Sequence, residues 1–457
     1  MRYLPILMVL LALAPAAHAE KWVTGWTASA QGPYPVGNPT AQPDLRFALP
    51  SQETGAKDQT FRLIIRPELW GQKVRLRFSN AFGNRAVTFD GAFVGLQMSG
   101  AALVPGTNRP VLFSGKKSVV VPPGGQIWSD AVSLTGIANP LAPELMGRKL
   151  AVSVHVAGES GAMTWHAKAL QTSYVTAPGA GSLGELEDEG AFPNSTTSWF
   201  FLDALDVMEP NETRLVVCFG DSITDGTSST LNGDDRWPDV LARRLRAGGA
   251  RISVVNQGIG GNQVAGPAEY GTAKPFPGGP SAKDRLERDV LELSGVTHVI
   301  WLEGINDFST TGGASVDKVR DGMKAGVARL RAKLPGVKVI GATLTSIVGT
   351  TSAAHTAPEV EQKRRAFNDW VRQDGGVFDG VIDFDAATAD PATRAMRPEY
   401  IPGSTIGGPG DGLHPNRAGY LAMGNAVDLR LLTGPATPVR RPRPAAAAPP
   451  AATPPPS

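Results

Sequence analysis

A serine in the setting of a nucleophile follows an apolar run near the middle of the chain. Residues 217–226 read VCFGDSITDG, in which Ser222 stands directly after Gly-Asp. Gly, Asp and Ser are common turn residues, so the triplet alone favours a turn. The alternative is a serine displayed at the end of a buried strand, where a nearby base activates its hydroxyl for attack on a carbonyl carbon.

Three further polar sets follow the apolar runs and offer the groups that a serine nucleophile needs. They are NQGIGGN (256–262), GIND (304–307) and DGLHP (411–415). Ester hydrolysis requires a base, a carboxylate that orients the base, and donors for the developing oxyanion. We predict that His414 accepts the proton of Ser222 and that Asp411, three residues before it in one turn, reaches Nδ1 of the ring.

The oxyanion donors predicted from these sets are two backbone N–H groups and one side-chain amide. They are the N–H of Ser222, the N–H of Gly261 and the amide of Asn306. Gly258 and Gly260 are alternatives for the second donor on the residues alone. Asp221, Asp225 and Asn262 are predicted to fix loop geometry rather than to take part in the chemistry.

From about residue 213 the pattern alternates between buried strands and helices. The predicted strands are 213–220, 251–258, 296–304, 337–345 and 380–386, and the predicted helices are 236–248, 281–293, 315–336, 358–373 and 416–432. This alternation predicts an α/β fold, a doubly wound parallel sheet flanked by helices. Ligands bind at the carboxyl ends of the strands in such sheets, so all four polar sets are expected on one rim.

The four blocks together resemble a known family. FGDSITDG, NQGIGGN, GINDF and DGLHPN, in that order, are similar to the blocks of the GDSL, or SGNH, hydrolase family of serine esterases and lipases, over about residues 213–433. The four residues that give the family its SGNH name match Ser222, Gly261, Asn306 and His414. The family's Asn-x-x-x-x-Gly spacing from Asn256 selects Gly261 as the second donor. The resemblance implies an SGNH-hydrolase-like, flavodoxin-like fold and an acyl-enzyme mechanism.

Ahead of this region, short runs rich in β-branched and aromatic residues predict an all-β sandwich or jelly-roll-like domain. The runs at 73–80, 85–97, 117–125, 149–158 and 171–177 are separated by Gly, Pro or Asn turns. The predicted organisation is a signal peptide at 1–19, a β domain at 20–210, a hydrolase domain at 211–433 and a disordered Pro/Ala-rich tail at 434–457. Cleavage after Ala19 would place the mature protein in a periplasm or outside the cell.

The charge balance, the motifs and the cysteine count limit the partners and cofactors that we expect. The 44 basic and 42 acidic residues nearly balance, so we expect no nucleic-acid partner, and no later run is long and apolar enough for a stable membrane span. No Cys or His cluster has metal-ligand spacing, GAGSLG at 179–184 precedes acidic residues that would repel a dinucleotide, and the inferred mechanism needs no cofactor. The single cysteine, Cys218, excludes an internal disulfide and is predicted to be a buried thiol. The oligomeric state stays open.

The remaining histidines are predicted to be structural or solvated. His155 alternates within a predicted strand, His298 precedes a buried strand and His355 lies in a polar loop. His166, in MTWHAKALQTSYV, could reach the active-site rim, although packing in the β domain is the preferred interpretation.

The function expected from these residues is that of a secreted serine esterase. Short-chain or acetyl esters of carbohydrates are the favoured substrates, because an exported enzyme with an attached β domain fits a polysaccharide ester. A lipase or arylesterase, and an acyltransferase in which an alcohol replaces water, remain alternatives. A glycan-binding protein with a relic site is disfavoured, since all the triad and oxyanion residues are present.

Overall fold

The computed structural model describes residues 19–434 except 135 and 272. The predicted signal peptide, apart from Ala19, and the predicted tail beyond residue 434 lie outside the described residues. Within that range, none of the helices combines the length and the apolar character that a bilayer crossing requires.

The first half of the chain is built from antiparallel strands, which we call the β-rich unit. Its strands are β1 (Glu20–Thr27), β2 (Gly32–Pro33), β3 (Lys57–Ile65), β4 (Lys73–Ser79), β5 (Val87–Ser99), β6 (Ala102–Leu103), β7 (Arg109–Val111), β8 (Ser118–Val121), β9 (Gln126–Trp128), β10 (Val132–Ser133), β11 (Leu150–Glu159), β12 (Thr164–His166), β13 (Ser173–Val175), β14 (Asn194–Thr196), β15 (Trp199–Phe200) and β16 (Leu202–Pro210). One sheet has the order β1-β16-β4-β10 with β9 on β4, and a second has the order β14-β13-β3-β11-β5-β6 with β7 and β8 on β5. A short third sheet joins β15, β12 and β2.

Apolar side chains from the two larger sheets share one core. Phe78 on β4 lies 5.6 Å, centroid to centroid, from Phe89 on β5. Trp26, Trp70 and Trp165 are buried in this unit, so their rings pack in its interior. These tryptophans therefore contribute mainly to the packing of the β-rich unit.

The second half, which we call the α/β unit, alternates strands with helices. Its strands are β17 (Arg214–Gly220), β18 (Ile252–Gly258), β19 (Val296–Leu302), β20 (Lys338–Ala342) and β21 (Gly380–Ile382). Its helices are α1 (Ser222–Asp225), α2 (Trp237–Ala247), α3 (Ala282–Leu286), α4 (Ile305–Phe308), α5 (Val316–Lys333), α6 (Pro358–Arg372), α7 (Phe384–Thr388), α8 (Arg417–Ala426) and α9 (Arg430–Thr433), with a π-helical turn at Glu287–Leu291 and 3₁₀ turns at Ala353–His355, Asp374–Gly376 and Pro398–Tyr400. A further 3₁₀ turn, Pro143–Leu145, belongs to the β-rich unit.

All strands of the α/β unit are parallel and follow the order β18-β17-β19-β20-β21. This order reverses at β17, which is the switch point where doubly wound sheets bind ligands. The register places Gly220 of β17 level with Gly258 of β18 and with Leu302 of β19. The loops after these three strands therefore leave the sheet at the same height.

The β-rich unit lies against the free edge of this sheet. β18 is an edge strand, and β1 packs beside it. Ser253 Oγ donates to the carbonyl of Thr24 at 2.7 Å, and Thr27 Oγ1 donates to the carbonyl of Asn256 at 3.0 Å. The two units thus meet along a strand edge that would otherwise face solvent.

The predicted elements of the α/β unit are present, with three differences. The predicted strand 380–386 ends at Ile382, and its last three residues begin α7, which Asp383 caps. The predicted helix 281–293 is an α-helical turn followed by the π-helical turn Glu287–Leu291. The predicted last helix ends at Ala426, and a separate short helix begins at Arg430. Cys218 is buried in β17, and burial raises the pKa of its thiol well above the ordinary value.

Candidate active site

The structure brings the three predicted catalytic side chains into one hydrogen-bonded row. Ser222 is the first residue of α1, and its Oγ lies 2.8 Å from Nε2 of His414. Nδ1 of His414 lies 2.6 Å from Oδ2 of Asp411. Ser222 is only 6% exposed, whereas the side chain of Asp411 is 35% exposed, so the nucleophile end of the row is shielded from bulk water. This geometry allows the hydroxyl proton to pass to the imidazole while the carboxylate orients the ring.

Asp411 is held as a carboxylate by its own turn. Burial raises the pKa of Asp411, but hydrogen bonds from the His414 ring and from the N–H groups of His414 and Leu413 outweigh it and hold that pKa below the ordinary value. The turn is anchored because its carbonyl at position 411 accepts from Thr350 Oγ1 and Thr351 N. The orienting carboxylate is therefore charged and fixed in place.

The loop after β18, which we call the oxyanion loop (residues 259–262), leaves one backbone donor unpaired. The N–H of Gly258 donates to Asn256 Oδ1 at 2.9 Å, and the N–H of Gly260 donates to Asp225 Oδ2 at 3.0 Å. The N–H of Gly261 has no acceptor in the described part of the chain. Gly261 has a φ of 81°, a left-handed conformation that favours glycine. Of the three glycines considered from the sequence, Gly261 is thus the one whose backbone N–H is available to an oxyanion.

Asn306 is held beside this loop. It lies in α4, directly after β19, and one of its amide hydrogens is donated to the carbonyl of Asn262 at 2.9 Å. The neighbouring Asp307 accepts from the N–H groups of Val264 and Ala265. Burial raises the pKa of Asp307 to about 6. The hydrogen bond to Asn262 fixes the amide beside the oxyanion loop, and its second hydrogen has no acceptor among the described residues.

A buried arginine beneath the site joins its two loops. Arg285 donates from NH2 to the carbonyl of Gly220 at 2.8 Å and from Nε to Asn262 Oδ1 at 2.7 Å. It also pairs with Asp289 at 3.0 Å and lies 3.9 Å from Glu303. Burial raises the pKa of Glu303 to about 8, although Arg285 lowers it. The nucleophile strand and the oxyanion loop are thereby tied to one side chain.

Three polar side chains of the β-rich unit also reach the site. Asn38 Nδ2 donates to the carbonyl of Gly260 at 2.9 Å, Lys168 Nζ donates to Thr227 Oγ1 at 2.6 Å, and Nε2 of His166 lies 3.1 Å from Asp225 Oδ1. Burial holds the pKa of Lys168 below its ordinary value, although the nearby carboxylates of Asp225, Asp411 and Asp221 act in the opposite direction. Of these three, only His166 is identified from the sequence as able to reach the rim, with packing preferred, because isolated Asn and Lys residues in a distant β domain carry no spacing signal.

The other residues predicted to shape the loops do so through backbone contacts. Asp221 Oδ1 accepts from the N–H of Ile223 at 3.0 Å and caps α1, and burial raises the pKa of Asp221 to about 7. Asn262 Nδ2 donates to the carbonyls of Gly278 and Pro280. His355 is buried rather than solvated, and its Nδ1 lies 2.9 Å from Ser352 Oγ. Burial, together with the nearby His414, lowers the pKa of His355 to about 4.

The described residues contain no group of three His, Cys, Asp or Glu side chains that could hold a metal ion. The polar groups gathered around Ser222 are amide and backbone N–H donors and one imidazole, whose Nε2 accepts from the Ser222 hydroxyl.

Comparison with known proteins identifies a family whose model matches the part of the chain that holds the site. Residues 218–422 match the model of the GDSL-like lipase/acylhydrolase family. No curated protein sequence matches the chain at a significant level.

Several solved structures are similar over about half of the chain. A carbohydrate acetylesterase family member from Sinorhizobium meliloti is 18% identical, with a TM-score of 0.36, and the match covers 47% of this chain and 95% of that one. The M. smegmatis aryl esterase is also 18% identical, with a TM-score of 0.36 over 47% of this chain and 96% of that one. A GDSL-like lipase from Bacteroides thetaiotaomicron is 18% identical, with a TM-score of 0.34 over 48% and 87%. These values carry no information about the substrate.

The family match covers the blocks that hold Ser222, Gly261, Asn306 and His414, and these are the blocks that converge on one rim of the sheet. The chain therefore carries a GDSL-like lipase/acylhydrolase domain at residues 218–422 and is a carboxylic ester hydrolase of that type.

Proposed function

We propose that the protein hydrolyses short-chain esters, in particular acetyl esters of carbohydrates, with Ser222, His414 and Asp411 as catalytic residues. The observation that carries this proposal is the row from Ser222 Oγ through His414 to Asp411, with separations of 2.8 Å and 2.6 Å. Each group in the row stands where a hydroxyl proton must be taken up and later returned.

In the first half of the reaction, Ser222 Oγ attacks the carbonyl carbon and its proton passes to Nε2 of His414. The carbonyl oxygen becomes an oxyanion, which accepts hydrogen bonds from the N–H groups of Ser222 and Gly261 and from the Asn306 amide. The tetrahedral intermediate then collapses: the bond to the alcohol oxygen breaks, His414 returns the proton to that oxygen, and an acyl-Ser222 ester remains.

In the second half, water attacks the acyl-Ser222 carbonyl while His414 accepts one of its protons. The oxyanion forms again in the same place and collapses with cleavage of the bond to Ser222 Oγ, which regains the proton from His414. The carboxylic acid leaves and the enzyme returns to its starting state. Asp411 stays ionised throughout and stabilises the imidazolium that forms at each step.

The surroundings of the site support a small acyl group and a polar alcohol. Asn38, Lys168 and Thr227 lie beside the oxyanion loop, and Thr350 and Thr351 contact the turn that holds Asp411. These side chains hydrogen-bond within the chain and make the surroundings of the site polar, whereas a long acyl chain needs a continuous apolar wall.

One large apolar cavity of the described residues lies far from Ser222. It measures about 410 Å³ and is lined by Leu69, Trp70, Leu145 and Ile252, among others. Ile252 begins β18, whereas the oxyanion loop follows its last residue, Gly258. Seven residues of strand span about 20 Å, so this cavity lies toward the opposite end of the sheet and does not serve as an acyl pocket for Ser222.

The test is hydrolysis of a p-nitrophenyl ester series from acetate to palmitate by wild type and by Ser222→Ala, followed by acetate release from an acetylated polysaccharide. We expect a maximum at acetate or butyrate that disappears in the variant, because loss of the nucleophile costs about 10⁶-fold in kcat. Activity that persists in Ser222→Ala would refute the mechanism. A preference for long chains would replace the acetylesterase proposal with a lipase.

The same proposal includes the organisation of the chain. We assign residues 20–210 to a β-sandwich domain and residues 211–433 to the hydrolase domain. The shared core of the two larger sheets, with Phe78 against Phe89, supports the sandwich. Export through a signal peptide at residues 1–19 would bring such an enzyme to a polysaccharide substrate outside the cytoplasm.

A further inference from the structure

His166, on β12 of the β-rich unit, faces hydrogen-bond acceptors at both ring nitrogens. Nδ1 lies 2.8 Å from the carbonyl oxygen of Ser29. Nε2 lies 3.1 Å from the carbonyl oxygen of Lys168 and 3.1 Å from Asp225 Oδ1. A neutral imidazole has one donor and one acceptor nitrogen, whereas an imidazolium donates from both. The surroundings of His166 therefore fit the charged form of the ring.

Asp225 connects this ring to the oxyanion loop. Its Oδ1 faces His166, and its Oδ2 accepts the N–H of Gly260 at 3.0 Å. Asp225 is 1% exposed, and a buried carboxylate requires a cation or several donors close by. Gly260 directly precedes Gly261, and the contact fixes the 259–260 peptide, which φ and ψ of Gly260 join to the peptide that carries the Gly261 N–H.

The β-rich unit also holds the following peptide, in which the carbonyl of Gly260 and the N–H of Gly261 lie in one plane. Asn38 Nδ2 donates to the carbonyl of Gly260 at 2.9 Å. A Cβ atom placed on Gly261 would lie 3.1 Å from that nitrogen, so Asn38 closes the space beside the loop. The His166 ring is itself fixed by stacking on Trp199, with 5.6 Å between ring centroids. The contacts from Asp225 and Asn38 thus clamp Gly260 from both polar ends.

We propose that His166 is a positioning residue for the oxyanion loop, acting as an imidazolium through Asp225 on the N–H of Gly260, so that the β-rich unit forms part of the catalytic machinery. This inference rests on the proposed esterase function of Ser222. His166 makes no contact with the reacting atoms. Its effect is to keep the Gly261 N–H aimed at the oxyanion.

A donor that drifts from its place weakens the transition state more than it weakens substrate binding. We therefore expect His166→Phe, which retains a ring for stacking on Trp199, to lower kcat on p-nitrophenyl acetate by about 10- to 100-fold, with KM changed less than about twofold. His166→Gln keeps an amide N–H that can reach Asp225, and it should recover part of the loss.

His155 supplies a matched control in the same unit. It is also a buried strand histidine, with Nε2 2.9 Å from a carboxylate oxygen of Asp58, but Asp58 is exposed and contacts no loop of the site. His155→Phe should leave kcat at the wild-type value. A comparable loss of kcat in His155→Phe and His166→Phe would indicate general damage to the β-rich unit and would overturn the inference.

A double-mutant cycle tests whether His166 acts through Asp225. Asp225→Asn removes the charge while its amide oxygen can still accept the Gly260 N–H. Combined with His166→Phe, it should lower kcat no more than the stronger single variant does, because the two residues form one chain of contacts. Losses that multiply would show independent effects and would contradict the proposed route. If His166→Phe does not fold, His166→Gln takes its place in the cycle.

Two readouts separate this inference from the esterase proposal. A fluorophosphonate phosphonylates the serine of an intact site with loss of fluoride, so its labelling rate needs no ester substrate, and it should fall in parallel with kcat in His166→Phe. Nitrogen NMR of ¹⁵N-histidine-labelled wild type should show hydrogen on both ring nitrogens of His166. A wild type that neither labels nor hydrolyses esters would refute the esterase proposal and this inference together. A normal wild type with a neutral His166 ring would overturn this inference alone.

Discussion

Asp411 contacts His414 through both of its carboxylate oxygens. Oδ2 lies 2.6 Å from Nδ1 of the ring, and Oδ1 accepts the backbone N–H of the same residue at 2.9 Å. The three-residue spacing allows one carboxylate to fix both the imidazole and the turn that carries it. Because Nδ1 holds its hydrogen toward Asp411, Nε2 is left to accept the proton of Ser222.

Asp411→Asn should lower kcat by about 10⁴-fold, because an amide can donate to Nδ1 and stabilise the wrong tautomer of His414. Steady-state hydrolysis of p-nitrophenyl acetate measures the effect. The matched control is Asp428→Asn, which alters an exposed carboxylate paired with Arg430 two residues along the chain and should leave kcat unchanged. A decrease of less than tenfold in Asp411→Asn would assign the orienting role elsewhere.

Asn306→Ala should lower kcat by about 10²- to 10³-fold, with little change in KM, because the amide donates to charge that develops only in the transition state. Asn139→Ala, at an exposed turn of the β-rich unit, is the control. Circular dichroism and the thermal midpoint check that both variants fold. An increase in KM at constant kcat would instead show that Asn306 binds the substrate in its ground state.

Gly258→Ala should disrupt the contact between the oxyanion loop and α1. A Cβ atom on Gly258 would lie 2.2 Å from the backbone nitrogen of Asp225, and neither backbone can yield without moving the site. We expect a loss of about 1–3 kcal/mol or more in the free energy of unfolding, measured by urea denaturation. Gly271→Ala, where a Cβ meets no atom within 4 Å, should unfold at nearly the wild-type midpoint.

Glu303 should make stability depend on pH. Its pKa is raised by burial to about 8 from an ordinary 4.5, so the folded state binds the proton more tightly than the unfolded state does. Its contribution to stability is complete below about pH 4.5 and is lost as pH rises through about 8. Glu303→Gln should flatten this slope in urea titrations at pH 5, 7 and 9. Glu185→Gln, at an exposed position, should leave the slope unchanged.

The sequence predicts the fold best in the parallel sheet, where buried apolar strands are followed directly by polar residues. β17 to β21 are covered on both faces, so their apolar runs predict strands, and the polar residues that follow them must lie at one rim. The π-helical turn Glu287–Leu291 was not predictable, because a shift in backbone pairing leaves the apolar spacing of 281–293 unchanged. The break between α8 and α9 was also not predictable, because NAVDLRLL (425–432) contains no glycine or proline that would end a helix.

The contribution of the β-rich unit to the site was the least predictable part. Asn38 and Gly260 are 222 positions apart, and His166 and Asp225 are 59 apart. Only the packing of β1 against β18 and of β12 against α1 brings them together, and a single sequence contains no periodicity that reports such contacts. Packing in the β domain, the interpretation preferred for His166 from the sequence, agrees with its burial, but the sequence does not indicate the carboxylate that the ring contacts.

The strand edge beneath β1 has a consequence for how the chain can be divided. β18 is the outermost strand of the parallel sheet, and Thr24 and Thr27 of β1 hydrogen-bond with its Ser253 and Asn256. A fragment beginning at residue 211 would leave the backbone groups on the outer edge of β18 exposed to other copies of itself. Uncovered edges template intermolecular sheets. Such a fragment is therefore expected to be insoluble, and fusions or truncations intended to isolate the hydrolase should keep residues 20–210 in place.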